Sequence, residues 1–324
     1  MKAFSYTSPE TWQAAARALR AAPAALPKAA GTDLLDLMKE GVLEPPELVN
    51  LLGVGLEKGQ RDTLSARLTL AQLGAEGYLR EQYPALAMAA GEAATPQIRN
   101  RGTLGGNLCQ LPRCAYLRTG HACLRVGDTT CAAAQPGAHT RFHGVFPAQG
   151  CLSAHASNLA PALVVLGAKV EVVGPEGART LGVEELYAPP AAGRMGDTSL
   201  AHDELVSWVS LTPSALARNS LYVEVRERQS FDFALVSLAA ALEVQGGKVA
   251  RARLCFGGVA PGPYRAKAAE LALEGKALEP EVLNAAARAA VQGAQPTAMN
   301  EHKPTLMQRL LVRALRSLGK EGAK

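Results

Sequence analysis

Residues 100–131, "NRGTLGGNLCQLPRCAYLRTGHACLRVGDTTC", set a glycine-rich turn directly before a run of cysteines. From residue 110 to 150 the sequence sustains no apolar period of two or 3.6, and a loop this long inside a compact unit needs an organiser. Cysteines stand at 109, 114, 123, 131, 151 and 255, so five of the six crowd this one region. Cys114, Cys123, Cys131 and Cys151 are separated by eight, seven and nineteen residues, which lets a loop wrap a compact inorganic core. Four thiolates are the usual complement of a cubane iron–sulfur cluster. Zinc stays open as a competitor, because Cys109 and Cys114 form a C-x4-C pair. Cys255, inside "RARLCFGG", reads as a core thiol, and His121, His139 and His143 as bystanders of the loop.

The turn "GTLGGN" (102–107) has an earlier counterpart in "AAGTDLL" (29–35). Small residues at such points let the backbone turn sharply and present successive amides to phosphate oxygens. Neither turn matches G-x-G-x-x-G or the P-loop, so each alone is equally an ordinary strand-to-helix turn. As a pair they suit a dinucleotide pyrophosphate.

The chain has 324 residues, 48% hydrophobic and 19% charged, enough for two or three units with real cores. No window approaches the about 20 apolar residues of a membrane span. The start "MKAFSYTSPETWQ" lacks the apolar core of a secretory signal, which makes disulfides unexpected and a cytoplasmic location the expectation. A net charge of +5 without an aromatic-basic stripe gives nucleic-acid binding no support.

Local patterns predict a helix from Pro9 to Ala22, a strand through "ALPK", strand-like alternation at "LSARLTLAQL", and an alanine-rich helix near 80–94. "NLAPALVVLGAKVEVVGPEGARTLGVEELY" reads as helix, strand, turn and strand, with a further strand in "DELVSWVSLTP". After Pro213 come long strands hinged at Gly246 and Gly247, then alanine-rich helices and a frayed "GKEGAK". A boundary is expected near 215–220.

The ordered series "AAGTDLLDLMK", "IRNRGTLGGNL", "SNLAPAL", "RERQSFDFALVSLAAA" and "FGGVAPGPYRAKAAE" resembles the FAD-binding medium subunit of the molybdenum hydroxylases. That family includes FAD subunits or domains of xanthine dehydrogenase, carbon monoxide dehydrogenase, aldehyde oxidoreductases and 4-hydroxybenzoyl-CoA reductase. The resemblance implies an α+β fold: a two-part FAD-binding domain of the vanillyl-alcohol-oxidase type over 1–216, with parts 1–55 and 56–216 and a cysteine loop at 109–151. A flavoprotein C-terminal α+β domain would follow at 217–324.

By the same resemblance Leu26, Pro27, Lys28, Ala29, Ala30, Gly31, Thr32, Asp33 and Leu34 would wrap the pyrophosphate. Gly102, Thr103, Leu104, Gly105, Gly106 and Asn107 would approach the flavin and ribityl chain, and Asn158 the adenosine half. Val206 and Glu224 would occupy two further contact positions. A subset similar to periplasmic aromatic aldehyde oxidoreductases and 4-hydroxybenzoyl-CoA reductase carries a cysteine loop with a 4Fe-4S cluster. In that subset's pattern Cys114, Cys123, Cys131 and Cys151 are the ligands. Tyr116, two residues after the first of them, reads equally as a shield of the flavin face or as an ordinary packing tyrosine. Three departures stand out: Ala30 for glycine, Asn158 for aspartate and Glu224 for lysine. An anion at 224 is expected to disfavour reduced flavin.

The implied function is electron transfer in an oxidoreductase. Electrons from a partner's molybdenum large subunit and a 2Fe-2S small subunit would pass through FAD to an external acceptor, in oxidation of aldehydes. The alternatives are a 4-hydroxybenzoyl-CoA reductase-like subunit, with electrons running inward, and a non-catalytic assembly subunit. A partner with a twin-arginine signal would carry the folded complex to a periplasm.

Overall fold

The computed structural model describes all residues except 56–58, 229–230 and 322–324. At the N-terminus β1 (Ser5–Thr7), β2 (Leu26–Lys28) and β3 (Glu47–Asn50) form a parallel sheet in the order β1-β3-β2. Parallel neighbours need a crossover, and the helix Trp12–Ala21 connects β1 to β2. Extended Thr11 starts this helix by accepting from the Ala14 amide, so it begins later than the Pro9 expected. Its Ala15 and Leu19 pack on Val49 and Leu205.

The second sheet, in the order β4-β7-β5-β6, contains β4 (Thr63–Ser65), β5 (Lys169–Gly174), β6 (Gly177–Gly182) and β7 (Leu205–Ser210), all antiparallel. The alternation at "LSARLTLAQL" yields only the short β4. Thr69 and Gln72 close a capping box there and start the helix Leu70–Ala75.

The third sheet is an antiparallel meander in which β8 (Ser220–Val225), β9 (Val236–Gln245), β10 (Lys248–Gly257) and β11 (Tyr264–Arg265) lie in the order β11-β10-β9-β8. β9 and β10 turn at Gly246–Gly247, as the sequence predicts. Leu238, Ala240 and Leu242 of β9 face a core with the helices Lys267–Leu273, Pro280–Ala290 and His302–Glu321. Ala239 and Ala241 face the other way, into one cluster with the helices Pro84–Glu92 and Leu159–Val165. Strands buried on both faces read as continuous apolar runs, which explains "VSLAAAL". The last helix persists to Glu321, and the end of "GKEGAK", 322–324, lies outside the described residues.

This helix also holds the cysteine loop. Asn300, just before it, donates to the carbonyls of Thr140, His143 and Gly144. Lys303 is fully buried, and its Nζ donates to the Gly258 carbonyl at 2.7 Å and the Phe142 carbonyl at 3.4 Å. Burial lowers its pKa to about 7. Above that value the unfolded chain, whose lysine titrates near 10.4, binds the extra proton, so stability rises between pH 7 and 10. Urea unfolding of Lys303→Met across this window is expected to lose up to about 1 kcal/mol of that rise per pH unit. Parallel profiles for the two proteins would refute the assignment.

Candidate cofactor site

β2 ends at Lys28, and the chain then turns through Ala29–Asp33 into the helix Leu34–Lys39. Gly31 sits at φ +80°, and a Cβ there would lie 2.8 Å from the Leu35 side chain. Among the described residues, no acceptor meets the amides of Ala30, Gly31, Thr32 and Asp33. Successive free donors in a turn are the groups from which anion-binding concavities are built. Ala94 and Gln149 are the non-glycine residues with positive φ among those described, so Ala30 meets the condition alanine needs at a glycine position.

The second turn is built differently. Thr103 caps the helix Leu104–Leu108 by accepting from the Gly106 amide at 3.1 Å. The amides of Leu104 and Gly105 donate to the carbonyls of Leu68 (2.8 Å) and Ala66 (2.9 Å). These three amides are therefore already engaged, unlike those of the first turn. Gly105 is required for close approach, since a Cβ there would lie 2.9 Å from that of Ala66. Asn107 accepts from Ser157 Oγ at 2.6 Å and the Leu159 amide at 3.2 Å, which ties this turn to the helix Leu159–Val165.

Both turns line one cavity of about 980 Å3. Its wall contains Leu26 through Leu34, Gly102, Thr103, Gly105, Gly106, Asn107, Asn158 and Val206. Leu104 points into the core instead, and Glu224 stands outside the wall. Sequence reasoning missed Cys109, Arg67, Arg113, Ile98, Phe231 and Phe233, which also line the cavity. Phe231 and Phe233 are half exposed, and Arg113 lies over the Phe233 ring. A second concavity, lined by Arg288, Arg309, Arg313 and Arg316 on the C-terminal helices, includes none of the selected residues.

Asp33 joins the first turn to the cysteine loop. Its Oδ1 accepts from Arg118 Nη2 at 2.9 Å and pairs with Arg113 Nη2 at 3.0 Å, while Oδ2 accepts from the Leu111 amide at 2.7 Å. No local pattern announces these partners, which lie 78 to 85 residues downstream for the two hydrogen bonds. Asn158 Nδ2 donates to Tyr222 Oη at 3.1 Å and Glu224 Oε2 at 3.0 Å. Burial pushes the Glu224 carboxyl up, while Tyr222 and Arg226 oppose that shift. The expected penalty on reduced flavin thus meets a carboxylate paired to Arg226 behind the wall.

The cysteine loop carries only short turns at Ala115–Arg118, Leu124–Val126 and Ala132–Ala134. All six cysteines are free. Burial raises the Cys114 thiol pKa against hydrogen bonds from the Leu117 and Tyr116 backbone, and the charges of Cys123 and Cys131 add to the rise. Yet among the described residues no group of three or more His, Cys, Asp or Glu side chains converges to hold a metal ion. The donor chemistry suits a cluster, but the arrangement does not form its cage.

His143 is no exposed bystander: it is buried, lies 3.4 Å from Cys114 Sγ, and burial lowers its pKa to about 4. Tyr116 is absent from the cavity wall; its hydroxyl accepts from the His139 amide inside the loop. Cys255 is fully buried on β10, as expected. Cys109 lines the cavity with its thiol pushed up to about 12 by burial. No helix among the described residues is long and apolar enough to cross a membrane.

Residues 2–213 match the family described as the FAD binding domain in molybdopterin dehydrogenase. Residues 221–318 match the CO dehydrogenase flavoprotein C-terminal domain. The chain is 35% identical over 327 aligned residues to the aldehyde oxidoreductase FAD-binding subunit PaoB of Escherichia coli, covering 97% of this chain and 98% of the relative. It is 27% identical to the carbon monoxide dehydrogenase medium chain of Afipia carboxidovorans, over 81% and 76% of the two chains. Quinoline 2-oxidoreductase from Pseudomonas putida 86 shares the fold, with a TM-score of 0.75 at 24% identity and full coverage of both chains.

Proposed function

Because this chain belongs to the FAD-binding medium subunits of the molybdenum hydroxylases, we propose that it is the electron-delivering subunit of an aldehyde-oxidising complex. A molybdenum large subunit and a 2Fe-2S small subunit would complete that complex. The observation that carries the reading is the single cavity lined by both glycine turns, with four unpaired amides on its wall. When bound, FAD accepts electrons singly from iron–sulfur centres and releases them in pairs. In this chain, the amides of residues 30–33 and Lys28 would hold the pyrophosphate, with Arg67 adding positive charge to the same wall. The closely docked second turn would fix the flavin end. Phe231 and Phe233, half exposed on the same wall, would be side chains that an incoming external acceptor meets. The wider similarity to an aldehyde oxidoreductase subunit than to the carbon monoxide dehydrogenase chain supports aldehydes as the substrate class.

We further read Cys114, Cys123, Cys131 and Cys151 as ligands of a 4Fe-4S cluster, supported by their free thiols and their shared place in one loop. Loading would require the loop to draw these sulfurs together. The assembled complex, purified without oxygen, is expected to contain FAD and cluster iron. Cys123→Ser should lose that iron and its reduced-state EPR signal while FAD remains. Zinc in place of iron would refute the cluster, and absence of FAD from an intact complex would refute the electron-transfer role.

A further inference from the structure

Arg125 and Asp197 are each about 1% exposed and anchor a buried network that the proposed function does not use. Arg125 Nη1 donates to the carbonyls of Met195 and Gly196, each at 3.1 Å. Its Nη2 donates to Asp197 Oδ1 at 2.5 Å and Ser153 Oγ at 3.1 Å. The same Ser153 oxygen accepts from Cys151 Sγ at 3.3 Å. Met195 and Gly196 form part of the cavity wall, so Arg125 and Ser153 together link that wall to a loop thiol.

A second arm leaves from Asp197, whose Oδ2 meets His155 Nδ1 at 3.1 Å. His155 packs edge-on against Tyr187, with centroids 4.7 Å apart, and Tyr187 donates to the carbonyl of Leu108. Leu108 ends the helix that begins at the second glycine turn. A buried ion pair is weak evidence for stability, since apolar packing often serves as well. Arg125 Nε and His155 Nε2 also lack partners among the described residues, a cost that plain structural packing leaves unexplained. A guanidinium fork holding four acceptors fixes geometry in a way that a point charge cannot.

We propose that Arg125 is a positioning residue that couples the flavin cavity wall to the Cys151 sulfur, so that FAD binding and the state of that sulfur influence each other. The coupling rests on the cavity being the FAD site and is independent of what the thiols hold. A change at Cys151 shifts Ser153, and Arg125 passes the shift to residues 195–197. By linkage, FAD on that wall must restrain Cys151 equally.

The test uses the full chain. FAD affinity is read from flavin fluorescence in wild type, Arg125→Lys, Cys151→Ser and the double variant. Each single change is expected to weaken FAD roughly tenfold and the double no further, as for residues in one network. In the cluster-free chain, where Cys151 is a free thiol, FAD should also slow its modification by N-ethylmaleimide, followed by mass spectrometry, in wild type but not in Arg125→Lys. Should Arg125→Lys fail to fold, isosteric Asp197→Asn makes the same comparison. Multiplying affinity losses, or protection that persists in the variant, would overturn the coupling alone. A wild-type chain that binds no FAD would remove the cavity reading and this proposal together.

Discussion

Gly31→Val is expected to weaken FAD binding by a hundredfold or more while the chain stays folded. At φ +80° a β-branched residue suffers a left-handed backbone penalty of about 1–3 kcal/mol. Its Cβ would also lie 2.8 Å from Leu35, and overpacking typically adds about 1–3 kcal/mol. The turn can relieve both by leaving the left-handed region, but that rotates the unpaired amides of residues 30–33 away from a phosphate. Binding therefore suffers before the fold does, since the turn lies on the cavity wall. Gly31→Ala should fall between the two, because it lacks the branched methyls. Fluorescence titration with FAD, beside circular dichroism, provides the check; a valine variant within threefold of wild type would show that this turn does not hold the cofactor.

Asp33→Ala has the second large expected effect, on the loop rather than on the turn itself. The carboxylate meets Arg113, Arg118 and the Leu111 amide, and its removal leaves all three without it. Burial already lowers the Arg113 pKa, and without Asp33 this guanidinium keeps only the looser 3.9 Å pairing with half-exposed Asp36, while Arg118 keeps Asp36 at 3.1 Å. A lost buried charge partner costs about 3–5 kcal/mol at full burial. Arg113 and Arg118 are 25% and 11% exposed, so about 1–3 kcal/mol is the better expectation. The loss would be local, freeing the loop's entry at residues 111–118. Trypsin cleaves after arginine, so limited digestion should cut after Arg113 and Arg118 at least about tenfold faster in the variant. Asp33→Asn, which keeps an acceptor for the Leu111 amide, should be cut at an intermediate rate. Equal cleavage of all three proteins would mean that the loop is held elsewhere.

Much of the fold was legible because short-range chemistry wrote it. The hairpin at Gly246–Gly247 and the helix–strand–turn–strand over 158–182 follow from turn glycines and apolar period. The strand expected in "LSARLTLAQL" was truncated by the Thr69–Gln72 capping box, a signal that was present but outweighed by the alternation around it. At the site, the two glycine turns were readable from their small residues. Their unequal roles were not, since what occupies the second turn's amides is Ala66 and Leu68, some 40 residues earlier. Arg125, Asp197 and His155 were invisible for the same reason: they are single polar residues in irregular segments, and only the folded chain brings them together. The surroundings of His143 were hidden likewise: Asn300, which donates to its carbonyl, and Lys303, whose charge lowers its pKa further, lie far along the chain.

The alternate-facing alanines of β9 have one more consequence. Ala239 and Ala241, with Cys255 beside them, lie against the helices of the preceding unit, whereas their neighbours Leu238, Ala240 and Leu242 face the C-terminal helices. The seam between the two units is therefore a sheet of methyl groups fitted to one particular opposite surface. A gene spliced at that seam would exchange a matched pair of surfaces for two strangers. A graft made there is therefore expected to need both sides of the fit.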